Sequence, residues 1–204
     1  MKTNYFIVLL FIASVKSFAQ SDPKTIYQKN RYELAISYYK KADYENALAL
    51  FSIASKMKSE NEIGIESVKR IDTLRKILRK RIMDKVVGTW KLVGDKPLWS
   101  VNTNGNKLFL NRLVEINYEQ ISFYELDTQT KEKKLLKTEK LSYYNKDPSD
   151  DLFSAIIFSD GTIWECLLNE DENVLHVINI AKKTENGVEK ITNDNLERFL
   201  SKIN

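Results

Sequence analysis

Cysteine and histidine each occur once in the 204 residues, as Cys166 and His176. One cysteine excludes an internal disulfide framework and any multi-cysteine zinc or iron–sulfur site. One histidine excludes a multi-histidine metal centre, and no cofactor is expected. The three prolines and six glycines are scattered singly. That excludes collagen-like sequence, a flexible linker and a glycine-rich phosphate loop. No apolar run approaches the roughly 20 residues that a helix needs to span a bilayer. What remains is globular in character: 43% hydrophobic and 29% charged residues suffice for a packed core and a solvated surface. The length allows one large domain, or an ordinary domain with a small appendage.

Residues 1–19 read as a signal peptide. Lys2 supplies the positive start, Phe6 to Ala13 a short apolar run, and Ser17-Phe18-Ala19 the small residues around a cleavage site. The alternative is an uncleaved anchor. Cleavage leaves 185 residues and lowers the formal charge from +4 to +2, because Lys2 and Lys16 are removed. No cysteine follows the apolar run, so the expectation is an exported protein, periplasmic or secreted, that is not a lipoprotein. Nucleic acid is not an expected partner in that compartment.

The remaining chain changes period once. Between Thr25 and Val86 there is no proline and one glycine, Gly64, and apolar residues recur every three or four positions. That is the period of helices. Leu34, Ala35, Tyr38, Ala42, Tyr44, Ala47, Phe51 and Ala54 describe a helical hairpin. Small residues allow close approach, aromatic residues fill the space beside them, and Asp43 is placed to cap the second helix. A third helix is predicted over Asn61 to Lys85, from the stripe Ile65, Val68, Ile71, Leu74, Leu78 and Ile82. Its other face is basic, with Arg75, Lys76, Arg79, Lys80 and Arg81. The hairpin resembles a single tetratricopeptide repeat over about 34 residues, although Arg31 and Ser59 stand at the usual tryptophan and proline positions. Such repeats dock proteins, and Tyr38, Tyr39, Arg75 and Arg79 are the docking candidates. The organisation expected is a leader (1–19), a helical region (20–86) and a strand domain (87–204).

After Val87 the pattern alternates with period two, broken by turn signals. Eight strands are predicted, near 86–94, 110–118, 120–127, 133–144, 152–159, 162–169, 173–182 and 187–192. The apolar spacing of Leu196, Phe199, Leu200 and Ile203 reads as a closing helix over Asn193 to Lys202. Gly88-Thr89-Trp90 at the first strand resembles the Gly-x-Trp signature of lipocalins and related calycins, and the stretch is similar to lipocalin-like domains of secreted Bacteroidetes proteins. The resemblance implies that Gly88 and Trp90 close one end of an eight-stranded antiparallel up-and-down β-barrel. The fold class expected is therefore α+β: a helical hairpin and third helix, then the barrel, then a short C-terminal helix.

Little in the sequence points to chemistry. His176 has no nucleophile elbow upstream. Cys166 reads as a buried thiol; as a nucleophile it would need His176 as its base. Asp147, Asp150 and Asp151 gather around Pro148 without EF-hand spacing and read as a solvated turn rather than a calcium site. A pocket lined by aromatic residues is the better prospect. Trp99, Tyr118, Phe123, Tyr143, Trp164 and His176 are the ligand-binding candidates. The function this implies is non-enzymatic binding of a small apolar ligand in or at the mouth of the barrel. The alternative is a scaffold that docks a protein partner through its helices.

Overall fold

Asp22 starts the first helix. Its carboxylate accepts from the Lys24 backbone N–H, and Pro23 occupies the first turn, where a missing N–H costs nothing. The computed structural model describes residues 22–94, 111–127, 129–192 and 196–203. The expected leader (1–19), Trp99, and the loop 95–107 ahead of the second strand lie outside them. The described chain divides into two compact units, Met1–Asp72 and Thr73–Asn204.

The first unit contains helices α1 (Pro23–Lys40) and α2 (Tyr44–Met57) and the opening turns of α3 (Glu62–Val86). Asp43 caps α2 as expected, accepting from the Asn46 N–H at 3.3 Å. Ala35, Ala47, Ala54 and Phe51 are fully buried, and Tyr32 meets the Phe51 ring edge-on at 5.4 Å. The spacing of small residues thus does what the sequence implies. Gln28 was not anticipated. It is fully buried, and its side-chain amide donates to Ala54 O, Lys58 O and Asn61 Oδ1 at 2.9–3.1 Å. Those carbonyls belong to the end of α2 and the turn after it, which no helical N–H can satisfy. Asn61 then caps α3 by accepting from the Gly64 N–H at 2.8 Å. Gly64 is required here: a Cβ would lie 2.2 Å from the Lys58 carbonyl oxygen.

The second unit begins with the remaining turns of α3 and continues into nine strands among the described residues. These are β1 (Gly88–Gly94), β2 (Arg112–Ile116), β3 (Gln120–Leu126), β4 (Lys133–Lys140), β5 (Ile156–Ile157), β6 (Thr162–Leu168), β7 (Val174–Thr184), β8 (Gly187–Lys190) and β9 (Glu197–Ile203). Gly88 turns the chain from helix to strand at φ +134°, a conformation that side chains disfavour. All pairings are antiparallel, and the order is β4-β3-β2-β1-β9-β7-β6-β5, with β8 attached to β7 as a hairpin.

This order corrects the expected barrel. The sheet is open: among the described residues, β4 and β5 stand at its edges with no ladder joining them. The chain after β4 touches β5 through one isolated bridge, Tyr143 to Ile156. The expected C-terminal helix is also replaced by a strand. Leu196, Phe199, Leu200 and Ile203 fit helical spacing, but as a strand the segment fills the gap between β1 and β7 and pairs with both. Two edges that would otherwise be open are satisfied in this way. The eighth predicted strand, expected to return to β1, instead lies outside the main order.

One face of the sheet and the end of α3 share a core of Met83, Val86, Trp90, Leu92, Val114, Ile116, Ile121, Ile156, Trp164, Leu175 and Leu200. Trp90 is fully buried there, and its indole N–H donates to Val86 O at 2.7 Å. Lys202, from β9, donates to Lys85 O at 2.7 Å and lies over the Trp90 ring. The C-terminal carbonyls of α3 are therefore met by the sheet. Trp90 keeps the buried role that the sequence implies but does not close a barrel. A smaller cluster, Ala155, Ile163 and Ala181, forms a second core. Strand β4 is almost wholly exposed and carries Lys133, Lys134, Lys137 and Lys140.

Candidate functional site

The core-facing side of the sheet borders a half-open cavity of about 490 Å³ lined by strands from one edge to the other. Cross-strand register explains how it is built, because residues directly opposite share a face. Cys166 on β6 lies opposite Val177 on β7, which lies opposite Arg198 on β9. One row toward the apolar end, Leu168, Leu175, Leu200 and Leu92 follow in the same manner. Trp164 and Asn179 form the row on the other side. Phe123 and Phe158, from opposite ends of the sheet, meet edge-on at 6.1 Å.

The lining is mostly apolar; four of its polar residues lie where β2, β6 and β9 begin, and Lys137, Glu139 and Asn179 come from within β4 and β7. The four are Arg112, Asp160, Thr162 and Arg198. The Asp160 carboxylate accepts from the N–H and hydroxyl of Thr162, which hold its pKa below the usual range. Glu139 is buried and binds Ser159 twice, through the backbone N–H at 3.0 Å and the hydroxyl at 2.8 Å; it also pairs with Lys137. Burial alone would raise the Glu139 pKa, but the hydrogen bonds from Lys137 and Ser159 outweigh it and hold the group low. Glu139 thus bridges the two sheet edges with a side chain where no ladder does.

A pH dependence follows. A carboxylate whose folded pKa lies below its unfolded value contributes stability that is present above the unfolded pKa, about 4.3 for glutamate. That stability is lost as pH falls through the folded value. Glu139→Gln is expected to lower stability at pH 7 by about 1–3 kcal/mol and to flatten the loss of stability below about pH 4.5. Urea midpoints measured from pH 3 to 8 check this. Parallel wild-type and variant curves would show that Glu139 does not carry the effect.

The six ligand candidates separate. Phe123 and Trp164 line the cavity. Tyr143 lines a neighbouring void of about 40 Å³ together with Met83, Val86 and Cys166. Its hydroxyl is buried with no hydrogen-bond partner, the Arg79 guanidinium lies 4.3 Å from its ring centre, and burial raises its pKa against the opposing charge of Arg79. Tyr118 is 60% exposed in the β2–β3 turn, donates to Asp84 at 2.9 Å and is not among the lining residues. His176 lies on the opposite face, stacked on Phe199 at 4.2 Å and bonded to Glu197 at 2.9 Å. Trp99 lies outside the described residues.

Cys166 lines the cavity on the face away from His176. Burial pushes its thiol pKa up to about 12, so the thiolate is scarce at neutral pH. These two residues do not form a thiol catalytic pair. Among the described residues, no three His, Cys, Asp or Glu side chains converge to hold a metal ion.

The docking candidates also divide. Tyr38 and Tyr39 are half-buried on α1, with Tyr39 tilted against Tyr44 at 5.5 Å. Arg75 is buried and forms an ion pair with Asp150 at 2.5 Å. Arg79 donates to Phe153 O at 3.0 Å and Asn145 Oδ1 at 2.5 Å. These two arginines hold the 145–153 loop rather than facing solvent as a basic patch. The acidic turn around Pro148 is accordingly a partner for α3 and not an isolated solvated turn. Among the described residues, no helix is long and apolar enough to cross a membrane.

Comparison of the chain with protein-family models, curated proteins and solved structures found no match. The lipocalin and tetratricopeptide resemblances therefore rest on the residues alone.

Proposed function

We propose that this protein binds one small, largely apolar molecule in the cavity of its sheet. The observation that supports this reading is the cavity itself: about 490 Å³, within the range of small-molecule sites, with an apolar lining and few polar groups. With the leader sequence, this describes an exported carrier or sensor. The docking alternative is weaker because two of its four named residues, Arg75 and Arg79, are held by contacts within their own unit.

The neutral fluorophore N-phenyl-1-naphthylamine tests the reading. Titration is expected to give saturable enhancement at a stoichiometry near one. Val177→Trp, which places an indole in the middle of the lining, is expected to abolish that enhancement while keeping a cooperative thermal transition. No saturable binding by the wild type, or undiminished binding by a folded Val177→Trp variant, would rule the cavity out as the site.

A further inference from the structure

The cavity has two different ends. At one end Ile116, Leu175 and Leu200 present only hydrocarbon. At the other stand several charged groups, and what each is bound to distinguishes them. Lys137 and Glu139 pair with each other, and Asp160 is held by Thr162. Arg112 is exposed at the start of β2. Arg198 differs from all of these. Register places it on the cavity face, in the row of Val177 and Cys166. Its guanidinium carbon lies 5.3 Å from the centre of the Trp164 ring, and its Nε is buried without a hydrogen-bond partner among the described residues. Among the described residues no carboxylate lies within ion-pair distance of it. A buried donor left unpaired is costly, and a guanidinium presents its donors as a planar fork suited to a carboxylate. The indole face fixes the plane of that fork through a cation–π contact.

We propose that Arg198 is the anion-recognising residue of the cavity, and that the ligand is an amphipathic monoanion. Its carboxylate meets Arg198 beside Trp164, and its hydrocarbon body runs along Val177 and Cys166 toward Leu175 and Leu200. The assignment rests on the cavity-binding reading above and names the chemical class of its ligand. The volume limits the size: at about 30 Å³ per heavy atom, a water molecule's share of the liquid, the site takes on the order of 15 non-hydrogen atoms. That is a medium-chain carboxylate or a compact aromatic acid. No bond is made or broken.

The test is displacement of N-phenyl-1-naphthylamine at pH 7.5 by three molecules of one chain length: decanoate, 1-decanol and decylamine. Wild-type protein is expected to prefer decanoate over 1-decanol by at least about tenfold, the scale of a charge-assisted hydrogen bond, and to bind decylamine most weakly. Arg198→Gln is expected to bring decanoate level with 1-decanol, each read against the probe affinity measured on the same variant. Arg198→Met, which keeps the side-chain bulk without charge, carries the same expectation if the Gln variant lacks a thermal transition. A wild type that binds the probe without preferring decanoate overturns this inference and leaves the cavity reading standing. A preference that survives in a folded Arg198 variant overturns the assignment to Arg198. Failure of every molecule to bind overturns both readings.

Discussion

Arg75→Met is expected to destabilise the second unit by about 3–5 kcal/mol, the cost of leaving one member of a buried ion pair uncompensated. Arg75 is 5% exposed and Asp150 3%, so neither charge has water to fall back on. The guanidinium bonds to the Asp150 carboxylate and backbone oxygen, to Asp147 O at 3.0 Å and to Pro148 O at 3.4 Å. Removing it strands three carbonyls and a carboxylate. Asp150 keeps two backbone donors, Asp147 N–H and Leu152 N–H, which keep the turn itself intact. The damage should therefore centre on how the 145–153 loop seats against α3. Limited proteolysis is expected to cut there first, and urea melts give the magnitude. Arg75→Met combined with Asp150→Asn is expected to recover part of the loss, because the buried charge is gone while the carbonyls stay unmet. A single variant with a midpoint equal to wild type would show that the pair is not buried in solution.

Trp90→Ala should cost a similar amount, about 3–5 kcal/mol for a buried aromatic truncation. Trp90 is the largest fully buried side chain in the second unit. Its loss opens a void in the core and frees the Val86 carbonyl at the helix end. It also removes the ring beneath Lys202, which itself bonds Lys85 O. Trp90→Phe separates these contributions: it keeps an aromatic body but cannot donate, and is expected to fall between wild type and Ala. Chemical denaturation of the three proteins gives the order. A Trp90→Ala shift below about 1 kcal/mol would contradict the core described above.

The helical elements were legible because their evidence is local. Ala35, Ala47, Ala54 and Phe51 occupy fixed offsets, and Asp43 precedes a helix by a cap's spacing. The first eight strand segments were legible for the same reason, since period-two alternation needs no knowledge of partners. Their order was not. Whether a sheet closes depends on which edges meet, and the deciding segment, Glu197–Ile203, carries apolar residues at spacings that suit a helix equally well. Reading it as a helix also concealed Arg198. As a strand, Leu196, Arg198 and Leu200 share one face, and a lone arginine between two leucines would have stood out. Phe123 and Trp164 were found because cavity walls and cores select the same residues. Tyr118 and His176 were placed in the cavity by strand alternation, but Tyr118 is in the turn after β2 and the face His176 shares with Val174, Ile178 and Ile180 is the one away from the cavity. The Arg75–Asp150 pair spans 75 positions, and no sequence periodicity reaches that far.

The exposed β4 edge has a consequence for solubility. An unpaired strand edge is a template on which a second chain can add, and Leu135 and Leu136 would reward such stacking. The four lysines of β4 oppose it, since two copies brought edge to edge would align like charges at the 4.7–4.9 Å spacing typical of sheets, about half a Debye length in physiological salt. The protection is electrostatic and therefore conditional. Concentrated salt or chemical acetylation of these lysines would weaken the barrier without altering the fold, and fibril growth under those conditions would start from this strand.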